Sequence, residues 1–156
     1  MKGHEDMEKI SSTRYLRENV KSITEGMSPK QIKEELGVRH NTHERVLAGD
    51  TSSLSLTVIQ HYAANSGIGI SELFIEPKFR EKYAEWYGET KLEYFPQNFE
   101  DYMHECGFTP KGIEKKMGKN KNVIRGYMNG VYYPRLGDID HIADVLGVEV
   151  ADLFLP

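Results

Sequence analysis

Met27-Ser28-Pro29-Lys30-Gln31-Ile32, followed by Leu36-Gly37, recurs 81 residues later as Phe108-Thr109-Pro110-Lys111-Gly112-Ile113, followed by Met117-Gly118. At the same offset Asn41 meets Asn122 and Gly49 meets Gly130. One extra residue in the first copy's loop then shortens the offset to 80. Ile59-Gln60-His61-Tyr62-Ala63 now meets Ile139-Asp140-His141-Ile142-Ala143, and the run from Gly67 to Phe74 meets that from Gly147 to Phe154. A period this long is not that of a solenoid unit and fits a duplicated domain.

Each copy reads as a set of short helices, so the expected fold class is all-α. Ser28 and Thr109 are N-caps, each followed by proline at the first helical position, and Gln31 completes a capping box in the first copy. Ile32 and Leu36, like Ile113 and Met117, share one face, and Gly37 and Gly118 end these helices of about two turns in the left-handed conformation. A third helix follows in each copy, with Val46 and Leu47 or Ile124, Tyr127 and Met128 on its apolar side, stopped by Gly49 or Gly130. A fourth carries Leu56, Ile59 and Ala63, or Leu136, Ile139, Ala143 and Leu146. Leading helices are expected over residues 12–25 (Leu16, Val20, Ile23) and 97–105 (Phe99, Tyr102, Met103), and they align poorly with each other. The organisation expected is a tail over 1–11, a first domain over 12–74, an aromatic linker over 75–96 and a second domain over 97–156.

Composition sets the outer limits. The 156 residues, 38% hydrophobic and 28% charged, suit two small globular units, each marginal alone and in need of contacts with the other or with a second chain. No long apolar run exists and the first ten residues are polar, so a cytoplasmic protein with no membrane association is expected. Cys106 is the single cysteine, which excludes an internal disulfide or a multi-cysteine zinc site. The net charge of −4 argues mildly against nucleic acid until its distribution is considered.

Short helix, glycine turn, short helix, loop, and a helix ending in Leu-Gly-Val and Asp-Leu-Phe resembles the Cro and lambda-repressor-like, or XRE, family of helix-turn-helix proteins. The resemblance implies two tandem headpieces whose third helices read the major groove of double-stranded DNA. By family position, His40, Asn41 and Arg45 face the groove in the first copy, and Lys121, Asn122 and Arg125 in the second. The full set of DNA-binding candidates adds Arg39 and Thr42 to the first copy and Lys111, Lys115, Lys119 and Asn120 to the second. Asn suits adenine, and Arg and Lys suit guanine. The sequence departs from the family at His43, where the second copy keeps an apolar Ile124, at Lys33 and Glu114, and at the prolines that lead helix two.

Charge separates the copies. Between positions 111 and 135 the second carries Lys111, Lys115, Lys116, Lys119, Lys121, Arg125 and Arg135 against Glu114 alone, whereas the first sets Lys30, Lys33, Arg39 and Arg45 against Glu34, Glu35 and Glu44. A localised basic stripe thus hides under a negative total. In the linker, Phe79, Tyr83, Trp86 and Tyr87 fall at helical spacing behind Pro77. It is expected to be a helix that packs the halves together, with Trp86 buried; a homodimer interface or stacking on nucleic acid are its other readings.

Other chemistry fails on spacing, so neither an enzyme nor a cofactor or metal is expected. His40 and His43 lack a third ligand, residues 111–120 depart from a phosphate loop in length and context, and His104 with Cys106 lacks an orienting group. The competing function is a protein-binding helix-turn-helix module, antitoxin-like or a phage-encoded inhibitor, in which one copy has lost DNA binding.

Overall fold

The computed structural model describes residues 9–156, so the expected tail lies outside it up to residue 8. The chain is all-α: 68% helical, with nine helices and no strand among the described residues. The first copy contains α1 (Leu16–Ile23), α2 (Pro29–Gln31), α3 (His40–Ala48) and α4 (Leu56–Asn65). After α5 (Pro77–Tyr87), the second contains α6 (Phe95–Glu105), α7 (Pro110–Met117), α8 (Lys121–Asn129) and α9 (Leu136–Leu146). Each copy opens with a 3₁₀ turn (Thr13–Tyr15 or Leu92–Tyr94) and closes with another (Ile70–Leu73 or Val150–Phe154).

Local chemistry sets the helix ends. Ser28 Oγ accepts from the Gln31 N–H while Gln31 Oε1 accepts from the Ser28 N–H, the reciprocal box read from sequence. Thr109 Oγ1 accepts from the Gly112 N–H at 3.0 Å. Gly37 and Gly118 end their helices at φ 73° and 67°. The second helix of the first copy departs from a regular two-turn helix: after α2 the chain widens into a π-helix over Ile32–Leu36. The Leu36 carbonyl at its end is secured by the Asn65 amide of α4 at 2.9 Å.

The leading helices correspond closely, contrary to the sequence expectation. At an offset of 79, Tyr15, Leu16, Asn19 and Val20 match Tyr94, Phe95, Asn98 and Phe99. Asn19 Nδ2 donates to the carbonyls of Leu73 and Ile75, and Asn98 Nδ2 to those of Leu153 and Leu155. Each asparagine ties the first helix of its copy to the closing turn. Counterparts of the first copy's opening therefore begin at Thr90, inside the stretch assigned to the linker.

The copies face each other through equivalent residues. Ser55 and Arg135 form an isolated antiparallel bridge, and the rings of Phe74 and Phe154 stack at 6.1 Å with 18° between planes. Hydrogen bonds cross in matched pairs. Ser11 Oγ accepts from the Ala151 N–H as Thr90 Oγ1 accepts from that of Ser71, both at 3.0 Å. Asp140 Oδ1 likewise accepts from the Thr13 N–H as Gln60 Oε1 accepts from that of Leu92. When equivalent residues exchange contacts in this way, the relation is a local two-fold rotation, the geometry of an isologous dimer made within one chain. A single apolar core spans both halves, from Leu16, Val46 and Ile59 to Phe99, Ile124 and Phe154.

The linker helix is present as α5, but Trp86 is not buried. It is 69% exposed. The inward stripe is Phe79, Tyr83 and Tyr87, which packs with Ile75, Ala151, Leu155 and Ile10. Trp86 lies one residue, or about 100°, from Tyr87 and so points outward, its ring edge-on to Tyr83 at 6.2 Å. Gly69 marks where α5 breaks the two-fold match: a Cβ there would stand 2.0 Å from the Tyr87 carbonyl oxygen, whereas its counterpart Glu149 accepts from the Ser11 backbone. No helix among the described residues is long and apolar enough to cross a membrane.

Candidate nucleic-acid interface

Helix α8 has two chemically opposite sides because Ile124 and Tyr127 turn into the core while Lys121, Asn122, Arg125 and Asn129 stay exposed. Asn120 is the N-cap, its Oδ1 accepting from the Val123 N–H at 3.0 Å, so this predicted contact residue first serves to start the helix. Lys111 of α7 joins Lys121 and Arg125 around a concavity of about 450 Å³, also lined by Thr109, Pro110 and Glu114. Lys111, Lys115, Lys116, Lys121 and Arg125 have no ion-pair partner among the described residues. Their charge is therefore available to an anion. Lys119 differs: it pairs with Asp138 at 3.0 Å and braces the turn against the start of α9.

The first copy builds the same frame with the cation of its third helix engaged, while Lys30, Lys33 and Arg39 have no ion-pair partner among the described residues. On α3, His40 lies 3.7 Å from Glu44. Arg45 pairs with Asp50 at 3.2 Å and donates to Ser53 Oγ at 3.1 Å. Asn41 is exposed at the position equivalent to Asn122, Arg39 is exposed at the N-cap, and Thr42 is half-buried. Arg45 and Arg125 are not counterparts: at the repeat's offset of 81, Arg45 matches Gly126 and Arg125 matches Glu44. The copies therefore offer different residues to whatever meets the two helices.

His43 occupies the core position that Ile124 fills in the second copy. Its Nδ1 is 2.8 Å from the Tyr62 hydroxyl. Burial lowers its pKa, the largest cause, so the ring is held neutral, and burial raises that of Tyr62 well above the usual phenol range. A polar pair thus substitutes for an apolar contact, and the departure at His43 leaves the helix frame intact. His43 is turned inward and His40 stays exposed; no group of three or more metal-ligating side chains gathers among the described residues.

Sequence reasoning missed the Tyr62 partner of His43 and the Asp50 and Ser53 partners of Arg45. The chain matches no known family model, and neither the curated proteins nor the solved structures contain a match to it.

Proposed function

We propose that the chain is a sequence-specific regulator that binds double-stranded DNA in the cytoplasm and presents α3 and α8 to the major groove as two recognition helices. The observation that carries this reading is the two-fold pairing of equivalent residues, Ser55 with Arg135 and Phe74 with Phe154. A two-fold rotation keeps α3 and α8 at one height along its axis, so both can meet one face of a straight duplex. DNA has matching dyads of its own, and dimeric helix-turn-helix proteins use them with half-sites about 34 Å, or about 10 base pairs, apart. Here one chain supplies both heads, so a second copy is not required to fill a site. The elements it reads are inverted in orientation but unequal in sequence, because the exposed residues of α3 and α8 differ.

Affinity is assigned mainly to the second copy. Its unpaired Lys111, Lys121 and Arg125 can displace counterions from phosphate, whereas the cation of Arg45 in the first is already satisfied. That same asymmetry favours a second reading for the first copy alone, in which the α3 face meets a protein. Retention on duplex DNA across a salt series tests the proposal. A steep fall in affinity with salt, together with preference for particular sequences, is expected; binding that is absent at low salt would sink it.

A further inference from the structure

Among the described residues the large hydrophobic side chains left exposed are Trp86, Val131 and Tyr132. Val131 and Tyr132 directly follow the recognition helix α8, and the chain holds them against it. The Gly126 carbonyl accepts from both the Val131 N–H at 2.9 Å and the Tyr132 N–H at 3.2 Å. The Tyr132 ring lies over Gly126 so closely that a Cβ there would be 1.9 Å from Cδ2. Glycine is a poor helix former, and at the middle of α8 its use is explained by the seat it gives this ring. The ring is half out in solvent, at 52% exposure, yet its backbone is fixed.

Its place follows from helix geometry. Around α8, at 100° per residue, the exposed face runs from Lys121 and Arg125 to Asn129 and Asn122, and Gly126 borders it on the asparagine side. The basic concavity with Lys111 closes the other side. Tyr132 is therefore the opposite wall of the same face. Three residues later Arg135 meets Ser55 at the two-fold axis, so the chain leads from this wall to the centre in three residues. The first copy makes the same turn, the Asp50 N–H donating to the Arg45 carbonyl, but fills the wall with the guanidinium of Arg45 bound to Asp50 and Ser53.

Resting on the DNA-binding reading above, we propose that Tyr132, backed by Val131, is a specificity-determining residue that contacts the C5-methyl group of a thymine on the dyad-proximal side of the second copy's half-site. Base edges in the major groove are otherwise donors and acceptors, and the thymine methyl is the apolar group they offer to an apolar wall. The first copy, with a polar wall, makes no such demand, so the two half-sites differ most near their shared centre.

The test uses the full chain and a duplex selected by it from a random pool, with each thymine replaced singly by deoxyuridine. Wild type and Tyr132→Phe should lose affinity about fourfold, the worth of one buried methyl, at one dyad-proximal thymine beside the second half-site. Tyr132→Ala should bind the two duplexes equally while keeping its helical circular dichroism and its affinity for random duplex. Selection of a site at which no thymine of that half is sensitive to loss of its methyl would overturn the proposal, as would equal sensitivity in Tyr132→Ala. Failure to select any sequence, with no salt-dependent binding, would instead overturn the DNA-binding reading beneath it.

Discussion

Replacing Lys121 and Arg125 together by alanine should weaken DNA binding far more than replacing Arg39 and Arg45 together. Lys121 and Arg125 are exposed and unpaired, so each can neutralise a phosphate, and each such contact contributes about 0.9 to the slope of log K against log salt. Losing both should flatten that slope by about 1.8. If either side chain instead reads a base, about 1 to 3 kcal/mol of discrimination goes with it. In the first copy Arg45 already holds Asp50, an exposed pair that contributes roughly 0 to 1 kcal/mol to stability. Its removal takes away a cation already shared with Asp50, leaving Arg39 to account for most of a slope change of about 0.9. Fluorescence anisotropy of a labelled duplex, titrated at several potassium chloride concentrations, reads both quantities. Equal slope changes in the two variants, or the larger change in Arg39→Ala/Arg45→Ala, would refute the division of labour between the copies.

Other consequences concern stability and the linker. Phe74→Ala removes a fully buried ring stacked on its counterpart Phe154 and should cost about 3 to 5 kcal/mol, with both halves melting in one transition by calorimetry; two separate transitions in the wild type would show that the shared core does not couple them. His43 is held neutral below its ordinary pKa of 6.5, so the unfolded chain gains a proton there that the folded chain resists as pH falls. Stability should therefore be full above about pH 6.5 and decline below it, and His43→Leu should lessen that decline in urea melts; an unchanged pH slope would contradict the assignment. Trp86 emission should be red-shifted and readily quenched by acrylamide, whereas a blue-shifted, protected signal would mean that the outer face of α5 is covered in solution.

The caps and stops of the helices were legible because they are local: Ser28, Thr109, Gly37 and Gly118 act on backbone groups within a turn of themselves. The match between the leading helices was obscured because the offset drifts from 79 to 81 and back to 80, and because Leu16 and Val20 give way to Phe95 and Phe99. Tyr15 and Asn19 against Tyr94 and Asn98, four residues apart in both copies, are the signal that reveals it. The candidate site was partly legible: the exposed Lys121, Asn122 and Arg125 follow from helical period. The occupation of Arg45 depends on Asp50 and Ser53 in a loop of different length in the two copies, and the His43 pairing depends on Tyr62 in the next helix. Both are tertiary events. Trp86 was misjudged because Phe79, Tyr83 and Tyr87 already fill the inward stripe of α5.

The central claim is that two recognition helices, joined by a two-fold within one chain, read one duplex. A footprint and base-substitution scan on a selected site, run with wild type, Asn41→Ala and Asn122→Ala, tests it most directly. The expected result is two inverted, unequal elements about 10 base pairs apart, with each substitution relaxing preference at a different adenine. One protected element, unaffected by Asn41→Ala, would contradict the account, as would two elements in direct repeat.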